Sequence, residues 1–210
     1  MVKLYVADIK KLPDPLLNSE LLHRLPRQRQ QRIHDMKQEK SRKQSMGAGI
    51  LLQKVLALYH IHDSQVNLDK NGKPVVEGLE FNLSHSGDLA TCAVSDKPIG
   101  CDVEELREAP KGMAERYFSE TEQTFVNSFS GDEYNRAFFQ IWTMKEGYVK
   151  MTGEALRLPF KEYEVVGNEN GILRDGEGQA CCLRTMELQG YIISICAEDS
   201  APVEVVWENL

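Results

Sequence analysis

Apolar and polar positions change period several times along this chain, and each change marks an element. Leu4-Tyr5-Val6-Ala7 is a short β-like opening that Pro13 and Pro15 close off as a turn. Helical spacing begins near Asn18 or Ser19, either of which can cap it. Residues 46–58 (MGAGILLQKVLAL) predict an apolar core helix in which Gly47, Ala48 and Gly49 let a neighbour approach closely. The Asn71-Gly72 pair predicts a tight turn, and the residues that follow lead through Phe81 toward strand structure. Residues 82–88 (NLSHSGD) read as a polar, glycine-containing loop, followed by a strand over 90–95.

Asp96-Lys97-Pro98 then turns the chain into a strand over 99–104. Its alternation sends Ile99, Cys101 and Val103 one way and Gly100, Asp102 and Glu104 the other, so two carboxylates share a face. After Pro110 the chain is helical. Ser119-Glu120-Thr121-Glu122 fits a capping box, and a helix from about residue 135 to 151 ends at Gly153, a good left-handed stop. The remainder alternates strand-like runs (163–166, 191–197, 203–207) with turn signals at Asn168-Glu169-Asn170-Gly171 and Gly176 to Gly178. This pattern predicts an antiparallel sheet. Ala90-Thr91-Cys92-Ala93 is echoed by Ser194-Ile195-Cys196-Ala197 about half a chain later, which points to two related halves with a boundary near 97–110.

Composition narrows the class. The chain has 210 residues, 41% hydrophobic and 27% charged, enough for a substantial core or two small ones. A net charge of -7 disfavours extended nucleic-acid binding as the main role. Five cysteines without zinc-type spacing read as reduced thiols of a cytoplasmic protein. No signal-peptide core or membrane-length apolar run is visible.

Candidate chemistry centres on the acidic strand. On a helix, Trp142, Glu146 and Lys150 share one stripe. If Glu146 joins Asp102 and Glu104, three carboxylates converge, and a hard divalent cation such as Mg²⁺ is the ordinary way to hold them together. Taken alone, Glu146 and Lys150 are explained as well by an i,i+4 pair worth about 0.3 kcal/mol. Gly147 costs about 1 kcal/mol inside that helix, as though something close by needs the space. Residues 23–43 carry eight basic residues against Asp35 and Glu39, which describes either a solvated helix face or an anion-binding surface. Ser84-His85-Ser86 can offer hydroxyls and an imidazole to phosphate, or form a plain surface hairpin. Lys73 reads alone as an exposed turn lysine.

The order of these signals resembles the Sfp-type 4′-phosphopantetheinyl transferases. It is carried by Ser84-His85, Gly100-Cys101-Asp102-Val103-Glu104, Arg116-Tyr117-Phe118 and Trp142-Thr143-Met144-Lys145-Glu146-Gly147-Tyr148-Val149-Lys150, with the Lys73-Pro74 turn and the basic N-terminal region in agreement. The resemblance implies an α+β fold, a pseudo-dimer of two similar α+β halves with antiparallel sheets and packed helices. Residues 1–100 would form the coenzyme A phosphate-binding half and 101–210 the half with metal-binding carboxylates, the active site lying between them. It implies transfer of the 4′-phosphopantetheine arm of coenzyme A to a serine of an acyl or peptidyl carrier protein, releasing adenosine 3′,5′-bisphosphate, with Mg²⁺.

By the same resemblance, Asp102, Glu104 and Glu146 ligate the metal, and Glu146, Lys150 and Asp102 are catalytic. Lys73, Ser84, His85, Lys150 and Arg42 contact coenzyme A, although Arg27, Arg29, Arg32 and Lys43 compete with Arg42 for the 3′-phosphate. Glu122 matches a family position near the metal, and the capping box explains it equally well. Cys101 and Gly147 depart from the family's usual aliphatic and alanine or serine. The expected partners are coenzyme A and an apo carrier protein, with no nucleic acid, no membrane and a monomeric chain. A Mg²⁺-dependent phosphodiesterase or nuclease and a non-catalytic carrier-binding module are the alternatives.

Overall fold

The computed structural model describes residues 1–17, 19–69, 72–153, 160–166, 171–174 and 180–210. The cap at Asn18, the Asn71 half of the first turn, and the turn signals at 168–170 and 176–178 lie outside the described residues. The chain forms two compact units, Met1–Asp96 with Val203–Leu210, and Lys97–Pro202.

In the first unit, β1 (Val2–Asp8) is followed by α1 (Ser19–His23), α2 (Arg27–Asp35) and α3 (Glu39–Leu58). A two-stranded ribbon, β2 (Asn67–Leu68) with β3 (Pro74–Val75), leads to the hairpin of β4 (Glu80–Ser86) and β5 (Leu89–Ser95). α3 packs on β5, β4 and β1, burying Met46, Leu51, Leu52, Val55 and Leu56 against Tyr5, Ala7, Phe81, Ala90, Cys92 and Val94. The small triplet works as its composition suggests. A Cβ on Gly47 would stand 2.5 Å from Ile9 Cγ2, and one on Gly49 would stand 2.6 Å from Arg29 Cδ. α3 begins well before the apolar run because its polar first turns are also helical.

Two expectations fail in this unit. The stretch read as a loop over 82–88 is mostly strand β4, in register Ser84↔Thr91 and His85↔Ala90, and Gly87 (φ 55°) turns the chain tightly into β5. The period-2 signal was weak because the α3-facing row Phe81 and Leu83 ends at His85, and the positions of the opposite face, Asn82, Ser84 and Ser86, are buried but polar. The strand β11 (Val203–Glu208) does not join the preceding antiparallel sheet. It pairs in parallel with β1, Val2↔Val203 through Ala7↔Glu208, giving the order β11-β1-β5-β4. Residues 203–210 therefore belong with the first unit, whereas a division near residue 100 assigns them to the second.

The second unit opens with β6 (Ile99–Glu105), continues through α4 (Met113–Tyr117), α5 (Glu120–Asn127) and α6 (Gly131–Thr152), and ends in β7 (Glu164–Val166), β8 (Ile172–Arg174), β9 (Ala180–Leu188) and β10 (Tyr191–Ala197). The sheet is antiparallel, in the order β6-β10-β9-β8-β7. α6 lies across β6 and β10, and its Phe138, Phe139, Ile141, Met144 and Tyr148 share a core with Leu183, Ile192 and Cys196. Gly153 ends α6 at φ 72°, as its sequence predicts. The α+β class with antiparallel sheets and packed helices stands as expected. One topology also recurs: β1, α3, β4, β5 in sheet order β1-β5-β4, and β6, α6, β9, β10 in sheet order β6-β10-β9. The echoed tetrapeptides occupy the corresponding strands β5 and β10.

Candidate active site

The site in the second unit begins with an absent side chain. An ideal Cβ on Gly100 would stand 1.9 Å from the Gly147 carbonyl oxygen and 2.5 Å from the Met151 amide nitrogen, so α6 touches β6 backbone to backbone there. The helical Gly147 is not the residue that needs the room, contrary to its reading from sequence. A Cβ on it would meet Ser194 O at 3.7 Å, an ordinary contact. Because strand side chains alternate, Gly100 places Asp102 and Glu104 on the α6 side of the sheet.

Lys150 of α6 reaches that face, and its Nζ donates to Asp102 Oδ1 at 2.6 Å. Arg107 pairs with Glu104 at 2.9 Å. Burial, then the charge of Asp102 against a smaller opposing pull from Lys150, with Glu104 adding to the rise, lifts Glu146 to a pKa of about 7. Burial pulls the Lys150 ammonium down, but Asp102, the Cys101 thiol and Glu146 outweigh it, and the net direction is up. Asp102, Glu104, Glu146 and Lys150 thus feel one another, as the period-2 and i,i+4 patterns predict. Among the described residues no three His, Cys, Asp or Glu side chains stand ready-gathered at metal-ligand spacing. In donor chemistry the trio nevertheless suits a hard divalent cation. All its donors are carboxylate oxygens, and after burial the charges of Asp102 and Glu104 each add to the rise at Glu146, so the three carboxylates lie close enough to repel one another.

The raised Glu146 has a consequence for stability. The folded protein keeps a proton that the unfolded chain loses above about pH 4.5, so stability falls as pH rises from about 4.5 to 7 and levels off above. Glu146→Gln should flatten that slope and stabilise the metal-free protein by about 2–3 kcal/mol at pH 8. Urea unfolding at pH 5 and pH 8 in chelator measures it, and parallel pH dependences for both proteins would contradict it.

Lys145, beside Glu146, does different work. Its Nζ is 2.7 Å from Glu122 Oε2, both side chains 1% exposed, and it donates to the carbonyls of Phe160 and Tyr163. Burial drives its pKa down while Glu122 opposes the shift. Glu122 forms the expected capping box with Ser119 and also accepts from the Val165 amide at 2.8 Å. The two residues tie α5, α6 and the start of β7 together. Sequence reading left Lys145 without a role, although it lies inside the Trp142-to-Lys150 motif. Trp142 stacks between Phe138 and Phe160 with Tyr117 edge-on, a packing role.

The remaining expected residues belong to the first unit. Asp69 holds Lys73 just past its turn, accepting from the Lys73 amide at 2.8 Å. Ser84 is buried and His85 exposed on β4. Arg42 is occupied structurally: it makes a two-point ion pair with Asp14 and donates to the carbonyls of Met36 and Lys37 at 3.1 and 3.0 Å. Arg29 was named only among the Arg42 competitors. It lines a cavity of about 760 Å³ with Arg32, Asp35, Asp63 and Pro74, and it donates to the Ser45 carbonyl at 3.2 Å. Burial, then the charge of Arg32, holds its pKa down despite Asp63.

The Lys150 ammonium can offset charge on a diphosphate, the carboxylates suit a hard cation that would do the same, and Glu146 can hold a proton near neutral pH, features that fit phosphate-ester chemistry. The family model of the 4'-phosphopantetheinyl transferase superfamily matches residues 98–196. The 4'-phosphopantetheinyl transferase psf-1 of Bacillus pumilus is 33% identical over 171 residues, 74% of this chain and 73% of its own length. A 4'-phosphopantetheinyl transferase of Bacillus subtilis is 35% identical over 134 residues, 60% of this chain, and the match spans 59% of that relative's length. The solved holo-[acyl-carrier-protein] synthase of Thermotoga maritima aligns with 50% of this chain and 64% of its own at 17% identity and a TM-score of 0.42. The chain belongs to the 4'-phosphopantetheinyl transferase superfamily. Among the described residues no helix is long and apolar enough to cross a membrane.

Proposed function

We propose that this chain transfers the 4′-phosphopantetheine arm of coenzyme A to a serine hydroxyl of an apo acyl or peptidyl carrier protein. The observation that carries this reading is the meeting of Asp102, Glu146 and Lys150 on a strand and the helix packed over it, in a member of this superfamily. The serine oxygen attacks the phosphorus nearer pantetheine, and the bond from that phosphorus to the bridging oxygen breaks. The bridging oxygen leaves with adenosine 3′,5′-bisphosphate. Such a displacement needs charge neutralisation and alignment more than covalent catalysis.

Glu146, or a water that it orients, takes the serine proton. Lys150 holds the charge that builds on the departing bisphosphate. Asp102, Glu104 and Glu146 would hold Mg²⁺, which when bound would offset the charge of the diphosphate. Lys73, Ser84 and His85 bind coenzyme A phosphates on the first unit.

The test incubates the protein with apo carrier, coenzyme A and Mg²⁺ and reads carrier mass. Gain of one phosphopantetheine group is expected, and it should stop in chelator. An unchanged mass across fatty-acid, polyketide and peptide-synthetase carriers would refute the reading.

The 3′-phosphate is assigned to Arg29 and Arg32, which line the cavity, in place of Arg42, most of whose donors are spent on Asp14 and two carbonyls. Arg29→Gln should weaken coenzyme A binding about 10-fold while leaving 3′-dephospho-coenzyme A unchanged, the worth of a charged hydrogen bond. Arg42→Gln should lower the melting temperature instead of altering that discrimination. Calorimetric titration with both ligands decides it, and discrimination retained in Arg29→Gln would assign the phosphate elsewhere.

A further inference from the structure

Two of the three carboxylates already hold cations supplied by the protein. Lys150 Nζ lies 2.6 Å from Asp102 Oδ1, the carboxylate side chain 7% exposed and the lysine 28%, and Arg107 meets Glu104 at 2.9 Å. A carboxylate as deep as Asp102 is costly to leave without a counter-charge, and Lys150 meets that need. The same ammonium cannot stay there once a second positive charge arrives on Asp102, because two cations within about 3 Å of one oxygen repel strongly.

We propose that Lys150 is a positioning residue that serves as a resident counter-cation on Asp102, and that it swings to substrate phosphate only when a divalent cation displaces it. Lys150 and the divalent cation therefore compete for Asp102. The lysine sits in the last turns of α6 with its side chain partly open to solvent and a flexible four-carbon stem, so its head can leave without disturbing the helix. Coupling of this kind is reciprocal. Whatever loosens Lys150 tightens the cation by the same factor, and the cation must loosen Lys150. The phosphate-binding lysine is then presented only by a protein that already carries its metal. This rests on the carboxylate assignment made above and adds the order in which the groups become available.

The test uses the full chain without coenzyme A. Mn²⁺ affinity is measured by electron paramagnetic resonance for the unsubstituted protein, Lys150→Met and Lys150→Arg, with circular dichroism to verify folding. In parallel, limiting acetic anhydride acetylates lysines with and without Mg²⁺, and peptide mass spectrometry reads Lys150 against the exposed Lys37. Lys150→Met should bind Mn²⁺ about 10-fold more tightly, while Lys150→Arg stays close to the unsubstituted protein. Acetylation at Lys150, unlike that at Lys37, should rise several-fold, by about the same coupling factor, on adding Mg²⁺. Because removing any nearby positive charge also favours a cation, the labelling result is required as well. Mn²⁺ binding with no rise in Lys150 acetylation, or with unchanged affinity in Lys150→Met, overturns the competition alone. Absence of Mn²⁺ binding in every form overturns it together with the carboxylate site.

Discussion

Gly100→Ala should destabilise the second unit by about 3 kcal/mol or more, enough to leave much of the protein unfolded or insoluble at 37 °C. The added methyl group meets the Gly147 carbonyl oxygen at 1.9 Å and the Met151 amide nitrogen at 2.5 Å, and both are helix backbone that no rotamer change can move. α6 would have to lift from β6, taking Glu146 and Lys150 away from Asp102, so any soluble fraction should also lose transfer activity. Gly147→Ala is the internal control. Its methyl group enters ordinary contact at 3.7 Å from Ser194 O, and the helix gains about 0.5–1 kcal/mol of propensity. Thermal melts of both variants measure the contrast, and a Gly100→Ala protein as stable as the parent would disprove the backbone contact.

Lys145→Met should cost about 3–5 kcal/mol, the typical penalty for removing one partner of a buried ion pair. The loss leaves the Glu122 carboxylate buried and the carbonyls of Phe160 and Tyr163 without their donor. Adding Glu122→Gln to the same protein should recover a large part of the deficit. The amide removes the stranded charge and keeps an acceptor for one of the two amides, Ser119 or Val165, that the carboxylate oxygens served. Chemical denaturation of both singles and the double gives the coupling energy. Additive losses would mean that Lys145 and Glu122 contribute independently.

These residues also show what a sequence conveys and what it withholds. Asp102 and Glu104 were legible because strand alternation is strict, and Glu146 with Lys150 because helical stacking is nearly so. Both rules concern one element at a time. Lys145 obeys the same helical rule yet looks like any surface lysine, since its partners come from α5 and from the stretch before β7. Gly100 looked like a spacer in an acidic motif, because nothing local tells that a helix lies across it. The β4 strand was missed because its apolar face stops after Phe81 and Leu83, while its other buried positions, Asn82, Ser84 and Ser86, are ones that hydrophobic patterning counts as outside. Arg42 stood in the right stretch of charge, but its ion pair with Asp14 spans a separation that no periodicity reports.

The parallel pairing of β11 with β1 has a bearing on how the chain is made. The first unit receives an edge strand that emerges from the ribosome only after all of Lys97–Pro202 has been synthesised. Until then β1 has an open hydrogen-bonding edge, an invitation to mispairing with other nascent chains. The first unit therefore completes its sheet only after the second has been synthesised, and deletion of residues 203–208 would be felt first at β1, some two hundred residues earlier in the sequence.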